Sequence, residues 1–485
     1  MRHQPQRRRA ALAVAMLLGS LVLAGCSQEA KKEPAPGTTG APTLSSADID
    51  NIVRRSYQYI AMYNTNNKFA LDKTNPMNSG GYNKIYKATE LANADVKALA
   101  RPNNDTLYQL AMLDLRDEPM ILDVPSFDTQ YASMETSAYD GYIGIPLATS
   151  EGDFKKPVKL LFYSARTKGF KTGDKIDGID KYVEMTGDFA VAFLRLMPES
   201  SNPAKHAAII KQIGLLKLLG LSEFQGKPAL TPSAVNFPAF GATDEDTYGT
   251  NLLEVMQFVF NSTTFDPANE LDQGVLAAFK PLGVEPGKTY DASKVAKIDN
   301  AAFRQSCVAL KAANVAIMQD PAKALALLLK AFLPKGKMDL DTLIFQNVIG
   351  PAGQPASQAL YLPVHSSDGK PMNAQNDYVM KMTKDQLPPA LAFWSLTLYD
   401  TDHGFFIPNK ENKYSVGQNA GFKLNAEGGI EIHIAAVKPD GVPPENWLPI
   451  NRGDIGISPM FRLYAPDLAK AKTWTEPTME IVPAK

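Results

Sequence analysis

From residue 106 onward the apolar residues come in short runs closed by proline and glycine, and no other feature narrows the fold as much. Runs at 106–115, 120–124, 131–136, 158–163 and 189–196 are rich in β-branched and aromatic residues. They have the length and composition of strands. Pro119, Pro125, Pro146 and Pro157 stand at their edges, where a residue without an N–H does least harm to a ladder. The pattern returns at 392–399, 430–435, 456–463 and 478–482. Between the two sets the period changes. Ile209, Ile210, Ile213 and Leu216 predict a helix over 206–221, and a helical block over 247–333 opens with Leu252, Val255, Met256 and Val259 on one face. Asp266-Pro267 reads as a helix start and Gly283 as its end. Ahead of all these, Ser45 and Asp48 form a capping-box-like start for a helix carrying Ile49, Ile52, Val53, Tyr57 and Ile60 on one face. This segregated order predicts a mainly β protein with helical insertions, in which two β-sandwich-like, jelly-roll-type modules are joined by a helical segment. The boundaries fall at 45–240, 241–345 and 346–485. No internal repeat of fixed period is visible.

The first 44 residues belong to neither module. Arg2, Arg7, Arg8 and Arg9 precede an apolar stretch over 10–24 that is too short and too rich in small residues to span a bilayer. The run Leu23-Ala24-Gly25-Cys26 then resembles a bacterial lipobox. The resemblance implies a signal peptide over 1–25 and acylation of Cys26. Residues 26–44 are rich in Pro, Gly, Ser, Thr, Lys and Glu, and read as a flexible tether. Each buried CH₂ adds about 0.8 kcal/mol, so the body is expected to be held at a bacterial membrane, most naturally the periplasmic side of the outer membrane. The formal charge is −1, and −5 without the four signal arginines. No basic tract remains, which excludes nucleic acid as an expected partner. Cys26 and Cys307 are the only cysteines. Phe303, Cys307 and Leu310 share a helical face, so Cys307 reads as core, and no internal disulfide is expected.

Chemistry is signalled weakly. There is no Gly-x-Ser-x-Gly elbow and no His-Glu-x-x-His pair. The run from Gly283 to Thr289 is one residue short of a phosphate loop and follows a helix. No cofactor is implied, no metal site is assigned, and the oligomeric state is left open.

The strongest polar cluster is Arg101-Pro102-Asn103-Asn104-Asp105-Thr106-Leu107-Tyr108. One reading is an Asx turn closed by an Arg101–Asp105 ion pair. The other is a pocket floor. There Arg101 grips a ligand carboxylate, Asp105 and Tyr108 position or transfer protons, and Asn103 adds a binding contact. The second cluster is Tyr399-Asp400-Thr401-Asp402-His403-Gly404. Its carboxylates and imidazole suit a metal, but an Asp-rich turn accounts for the same residues. Tyr399 and Asp400 are nonetheless candidate ligand contacts, as is Trp447. Trp394, Trp447 and Trp474, all in the last third, either line an aromatic pocket or fill a core. Glu431 and His433 alternate with isoleucines and read as a solvated strand face.

The cluster from Arg101 to Tyr108, with Glu118-Pro119 and Val124-Pro125, resembles the domain of unknown function 1254. The other end resembles its companion, the domain of unknown function 1214, through Pro388-Pro389, Phe393-Trp394-Ser395-Leu396-Thr397-Leu398-Tyr399-Asp400, Asn412-Lys413-Tyr414-Ser415, Asn446-Trp447-Leu448-Pro449 and Arg462-Leu463-Tyr464. Lys413 stands where the pattern more often has arginine, which weakens a bidentate role there. The resemblance implies two β-rich modules linked by helices and names no reaction. Two functions are therefore expected as alternatives: an enzyme acting on a small acidic or aromatic molecule, or a non-catalytic ligand-binding or envelope-interaction lipoprotein.

Overall fold

Ser45 caps the first helix as its sequence suggests. Its hydroxyl accepts the Asp48 N–H at 3.2 Å, and Asp48 accepts the Ser45 N–H at 2.9 Å. This helix, α1 (Ser46–Leu71), opens the body in a computed structural model that describes residues 44–97 and 100–482. The signal-like segment, Cys26 and all but the last residue of the tether lie outside the described residues. Nine strands follow α1: β1 (Lys84–Lys87), β2 (Leu107–Asp114), β3 (Met120–Val124), β4 (Ala132–Ala138), β5 (Leu147–Ala148), β6 (Val158–Ser164), β7 (Lys181–Met185), β8 (Phe189–Leu196) and, after helix α2 (Pro203–Gly214), β9 (Lys217–Gly220). Helices α3 (Leu221–Phe224), α4 (Asp244–Thr250), α5 (Leu252–Ser262), α6 (Glu270–Phe279), α7 (Asn300–Ile317), α8 (Pro321–Leu328) and α9 (Leu340–Ile349) lead to the second set of strands. These are β10 (Ala359–Pro363), β11 (Met372–Asn373), β12 (Asp377–Met382), β13 (Ala390–Asp400), β14 (Ser415–Gly417), β15 (Ile430–Ala435), β16 (Trp447–Pro449), β17 (Gly456–Pro466) and, after α10 (Leu468–Ala471), β18 (Glu480–Val482).

The first set makes two sheets, ordered β1-β2-β8-β4-β5 and β7-β6-β3-β9. Leu113, Met134 and Leu194 of the first meet Leu122, Leu160 and Phe162 of the second in one core. The second set makes sheets ordered β10-β17-β13-β14, with β11 as a fifth strand also on β17, and β16-β15-β12-β18, and Leu396 and Phe461 meet Met380 and Ile432 in the same way. The protein is therefore mainly β, with two sandwiches and helical insertions, as the apolar runs predict.

The two sandwiches share one topology. Taken in chain order, β2-β3-β4-β5-β6-β7-β8-β9 correspond to β10-β12-β13-β14-β15-β16-β17-β18. Every pairing among these strands has its counterpart, including direction; β1 on β2 and β11 on β17 lie outside the match. The antiparallel pairs β2·β8, β8·β4 and β4·β5 match β10·β17, β17·β13 and β13·β14. In the second sheets, antiparallel β3·β6 and β3·β9 match β12·β15 and β12·β18. The one parallel pair of each sandwich, β6·β7 and β15·β16, also corresponds. This is a duplication without a sequence period, because the linking segments differ in length and content.

Each five-stranded sheet is covered on both faces, which is why β2 is buried along its whole length. Leu107, Ala111 and Leu113 point into the sandwich, while Tyr108, Leu110 and Met112 point out of it, toward Phe69 and Met77. Helix α1 and helices α4 to α7 form a separate apolar core, with Tyr57, Tyr248, Val259, Phe303 and Cys307 inside it. The helical segment thus packs against the N-terminal helix instead of merely bridging the modules.

Two local expectations are corrected. The helix predicted over 206–221 ends at Gly214, and Lys217–Gly220 pairs with β3. A short leucine-rich run fits either period, and the open sheet edge decides. The helix read from Asp266-Pro267 begins at Glu270, because Asn269 accepts the Leu271 and Asp272 N–H groups at 3.0 Å each and takes the cap.

Candidate functional site

The outward faces of the two five-stranded sheets turn toward one another, and each carries the same transverse row. In the first, Tyr108 on β2, Arg195 on β8 and Ser133 on β4 lie side by side. In the second, Tyr361 on β10, Arg462 on β17 and Ser395 on β13 do so. Each row grips the loop ahead of the other sheet's tyrosine. Arg462 donates to the carbonyls of Arg101 (2.5 Å) and Pro102 (3.4 Å) ahead of β2, and Arg195 donates to the carbonyl of Ala352 ahead of β10. Ser395 donates to Asp105 at 2.6 Å, and Ser133 donates to Gln354. The tyrosines tie down their own loops, Tyr108 by accepting the Asn103 N–H at 2.8 Å and Tyr361 by accepting the Gln354 N–H at 3.1 Å.

Between the rows lies a cavity of about 40 Å³, walled by Arg101, Arg195, Arg462, Tyr108, Tyr361 and Tyr464, with Asn103, Phe332 and Met460. Arg195 and Arg462 are each only 4% exposed. An arginine is rarely buried unless it has a partner, and here the partners differ. Arg195 pairs with the buried carboxylate of Glu135. Arg462 forms no direct ion pair among the described residues: its Nε and Nη2 meet the Tyr399 hydroxyl at 3.2 and 2.5 Å, and that hydroxyl donates to the Pro102 carbonyl at 2.6 Å. Arg101 also lacks a direct ion pair among the described residues. Its Nη1 donates to the Ile349 carbonyl at 3.2 Å, and its Nε is buried without a partner. Arg101 holds φ +52, and Gly404 packs against it, since a Cβ on Gly404 would lie 3.1 Å from the Arg101 Cγ. On its other side Arg101 lines an outer groove with Lys97, Asp402, His403 and Phe405. It therefore stands between cavity and groove.

The candidates named from sequence divide accordingly. Arg101, Asn103 and Tyr108 line the cavity. Asp105 does not. It sits behind the wall, accepting the hydroxyls of Ser395 and of Tyr464, the latter at 2.9 Å. The Arg101–Asp105 ion pair does not form, because those hydroxyls take the carboxylate instead. Burial raises the Asp105 carboxyl, against the opposing pull of Arg462 and the two hydroxyls. Tyr399 is a positioning residue beneath Arg462, its phenol pushed up to about 12 by burial. Asp400 closes its own turn, accepting the His403, Gly404 and Phe405 N–H groups at 2.6, 3.2 and 3.1 Å, so the turn reading describes it. Trp447 lies on β16 in the outer sheet, its indole N–H bonded to the Ala435 carbonyl at 2.9 Å. The cavity does not include it.

Arg195, Glu135, Arg462, Tyr361 and Tyr464 complete the site and were not singled out as site residues from sequence. A signal existed. Arg195, Glu135 and Arg462 are each the one charged residue of a largely buried strand, and a charge inside a buried run needs a reason.

The fold and this junction define a class: a two-sandwich protein with a cationic cavity between duplicated sheets. A "protein of unknown function (DUF1254)" model matches residues 82–215 and a DUF1214 model matches residues 358–468. The chain belongs to the proteins that pair these two domains. No curated relative matches. Among solved structures, the VPA0106 protein from Vibrio parahaemolyticus is similar over 90% of this chain and 99% of its own, with a TM-score of 0.66 and 20% identity. An uncharacterised protein from Burkholderia cenocepacia covers 90% and 96%, with a TM-score of 0.42 and 14% identity. The first likeness shows the fold; neither assigns an activity.

Proposed function

We propose that this protein is a lipid-tethered envelope protein whose body binds a small carboxylic acid in the junction cavity, without chemical conversion. One observation carries the reading. Two of the three arginines on the cavity wall, Arg101 and Arg462, form no direct ion pair among the described residues, while the one Asp105 carboxylate that attracts Arg462 is held by two hydroxyls. Buried guanidinium groups without counter-ions favour an anion that supplies one. Size limits the anion. A water needs about 10–15 Å³ of such space and displaces about 30 Å³ of liquid, so the cavity takes the equivalent of roughly three waters, about 90 Å³. That suits an acid of two to four carbons and is too small for an aromatic ring with its carboxylate.

Binding is favoured over catalysis because the wall offers donors and no base. The phenols of Tyr361 and Tyr464 are raised by burial, the former to about 12, and the Asp105 carboxylate lies behind the wall, bonded to the Tyr464 hydroxyl. Titration calorimetry of the mature protein with acetate, propionate, butyrate and benzoate is expected to show binding of the short acids and at least tenfold weaker binding of benzoate. Absence of binding to every short acid would defeat the proposal.

The lipobox-like run at Cys26 supports the tether. A Cys26→Ser variant is expected to move from the membrane fraction to the soluble fraction, read by fractionation and immunoblot. Continued membrane partitioning of a correctly processed variant would sink the anchor.

A further inference from the structure

We infer that the two sandwiches face one another about an approximate two-fold axis at this junction, and that the broken correspondence between Glu135 and Thr397 makes the site selective for monocarboxylates over dicarboxylates. The inference rests on the carboxylate-binding reading and deepens it.

The geometry is that of an isologous interface, in which each half contributes the same patch and contacts are reciprocal. Arg195 grips the loop ahead of β10, and Arg462 grips the loop ahead of β2. Ser133 and Ser395 also reach across, onto the Gln354 amide oxygen in one half and the Asp105 carboxylate in the other. Two residues before these serines stand Tyr131 and Phe393, and the pair touch each other, ring centroids 5.8 Å apart and edge to face. Equivalent positions meet in this way only near a two-fold axis. Each arginine also lies over the tyrosine of its own row, Arg195 over Tyr108 at 5.6 Å and Arg462 over Tyr361 at 5.2 Å.

The correspondence breaks two residues after the serines. In the first sheet that place is Glu135, diagonal to Arg195 and paired with it. In the second it is Thr397, diagonal to Arg462, with its hydroxyl buried and unpartnered. The arginine of one row is neutralised within its own sheet, and that of the other row is not. The cavity thus has two arginines set against the single carboxylate of Asp105, behind the wall, at the Arg462 and Arg101 end, and one arginine closed onto its own carboxylate at the Arg195 and Phe332 end. A ligand with one carboxylate lies with that group at the first end and its uncharged part at the second. A dicarboxylate would bring its second charge to an arginine already paired with Glu135.

Calorimetry at pH 8 with propionate and malonate, equal in carbon number, tests this on the mature chain. Wild type is expected to favour propionate by at least tenfold. Glu135→Gln keeps the shape but frees Arg195, and is expected to shift the ratio at least tenfold toward malonate. Thr397→Glu places the missing carboxylate beside Arg462 and is expected to weaken propionate at least tenfold. A wild type that favours malonate overturns the inference without any variant. So does a folded Glu135→Gln or Thr397→Glu protein with the wild-type ratio and affinity. In both cases carboxylate binding itself survives. If wild type binds neither acid, the carboxylate reading falls and this inference falls with it.

Discussion

Glu135→Ala is expected to cost about 3–5 kcal/mol of folding stability at pH 8, the usual penalty for removing one partner of a buried ion pair. Glu135 and Arg195 are 1% and 4% exposed, so water cannot replace the lost carboxylate. Arg195 would keep only the Ala352 carbonyl beside its ring contacts. Glu135→Gln retains an acceptor and is expected to cost less, about 1–3 kcal/mol, the range for a weakened hydrogen bond to a charged group. Replacing the pair together, as Glu135→Leu with Arg195→Met, is expected to cost less than Glu135→Ala alone, because no unpaired charge remains. The pH dependence gives a second signature. Burial pushes the Glu135 carboxyl up to about 7 from an ordinary value of 4.5, against the pull of Arg195. Between those values the folded chain holds a proton that the unfolded chain has released, so this group's contribution to stability falls as pH rises from about 4.5 to about 7 and is level outside that window. The penalty of Glu135→Ala should therefore be larger at pH 4.5 than at pH 8. Urea midpoints of both proteins across that range measure it. A penalty below 1 kcal/mol at pH 8, or one that grows as the pH rises, would mean that the pair is not closed and dry.

The strands were legible because their residues carry two independent signals, composition and punctuation. Met120–Val124, Phe189–Leu196 and Ile430–Ala435 stand where the apolar runs place them. Short strands such as Leu147–Ala148 and Ser415–Gly417 have no such signal, since pairing with a neighbour makes them. The duplication was not legible for a related reason. It resides in which backbone pairs with which, and six matching pairings need no matching side chains. The site was half legible. Arg101, Asn103 and Tyr108 stood out as polar residues crowding a strand start. Asp400 and Trp447 have ordinary structural tasks, closing a turn and filling an outer sheet. Asp105 has neither the partner nor the exposure its neighbours suggested, because the hydroxyls it meets come from 290 and 359 residues away. Contacts at such separation leave no local trace.

Arg462→Met should affect both folding and binding more than any other single change at the cavity. The side chain holds the Tyr399 hydroxyl and two carbonyls of the loop ahead of β2, which makes it the main polar tie from the second sandwich to the first. Methionine fills similar volume and offers no donor. The Arg101 carbonyl and the Tyr399 oxygen then lose a charged donor each, at about 1.5–3 kcal/mol per bond to a charged group. A total loss of about 3–5 kcal/mol is expected, bounded above by relief of the guanidinium's own desolvation. Short-chain carboxylates should bind at least 100-fold more weakly, since Arg101 alone then faces the anion. Arg462→Lys separates the two effects. Lysine restores the charge but not the planar fork, and it cannot reach Tyr399 and the loop carbonyls together. It should recover part of the affinity for propionate while leaving most of the stability loss in place. Denaturation midpoints and titration calorimetry on the same preparations would show the split. Full recovery of stability by lysine would mean that charge alone holds the junction, and unchanged propionate affinity in a folded Arg462→Met protein would remove Arg462 from the binding site.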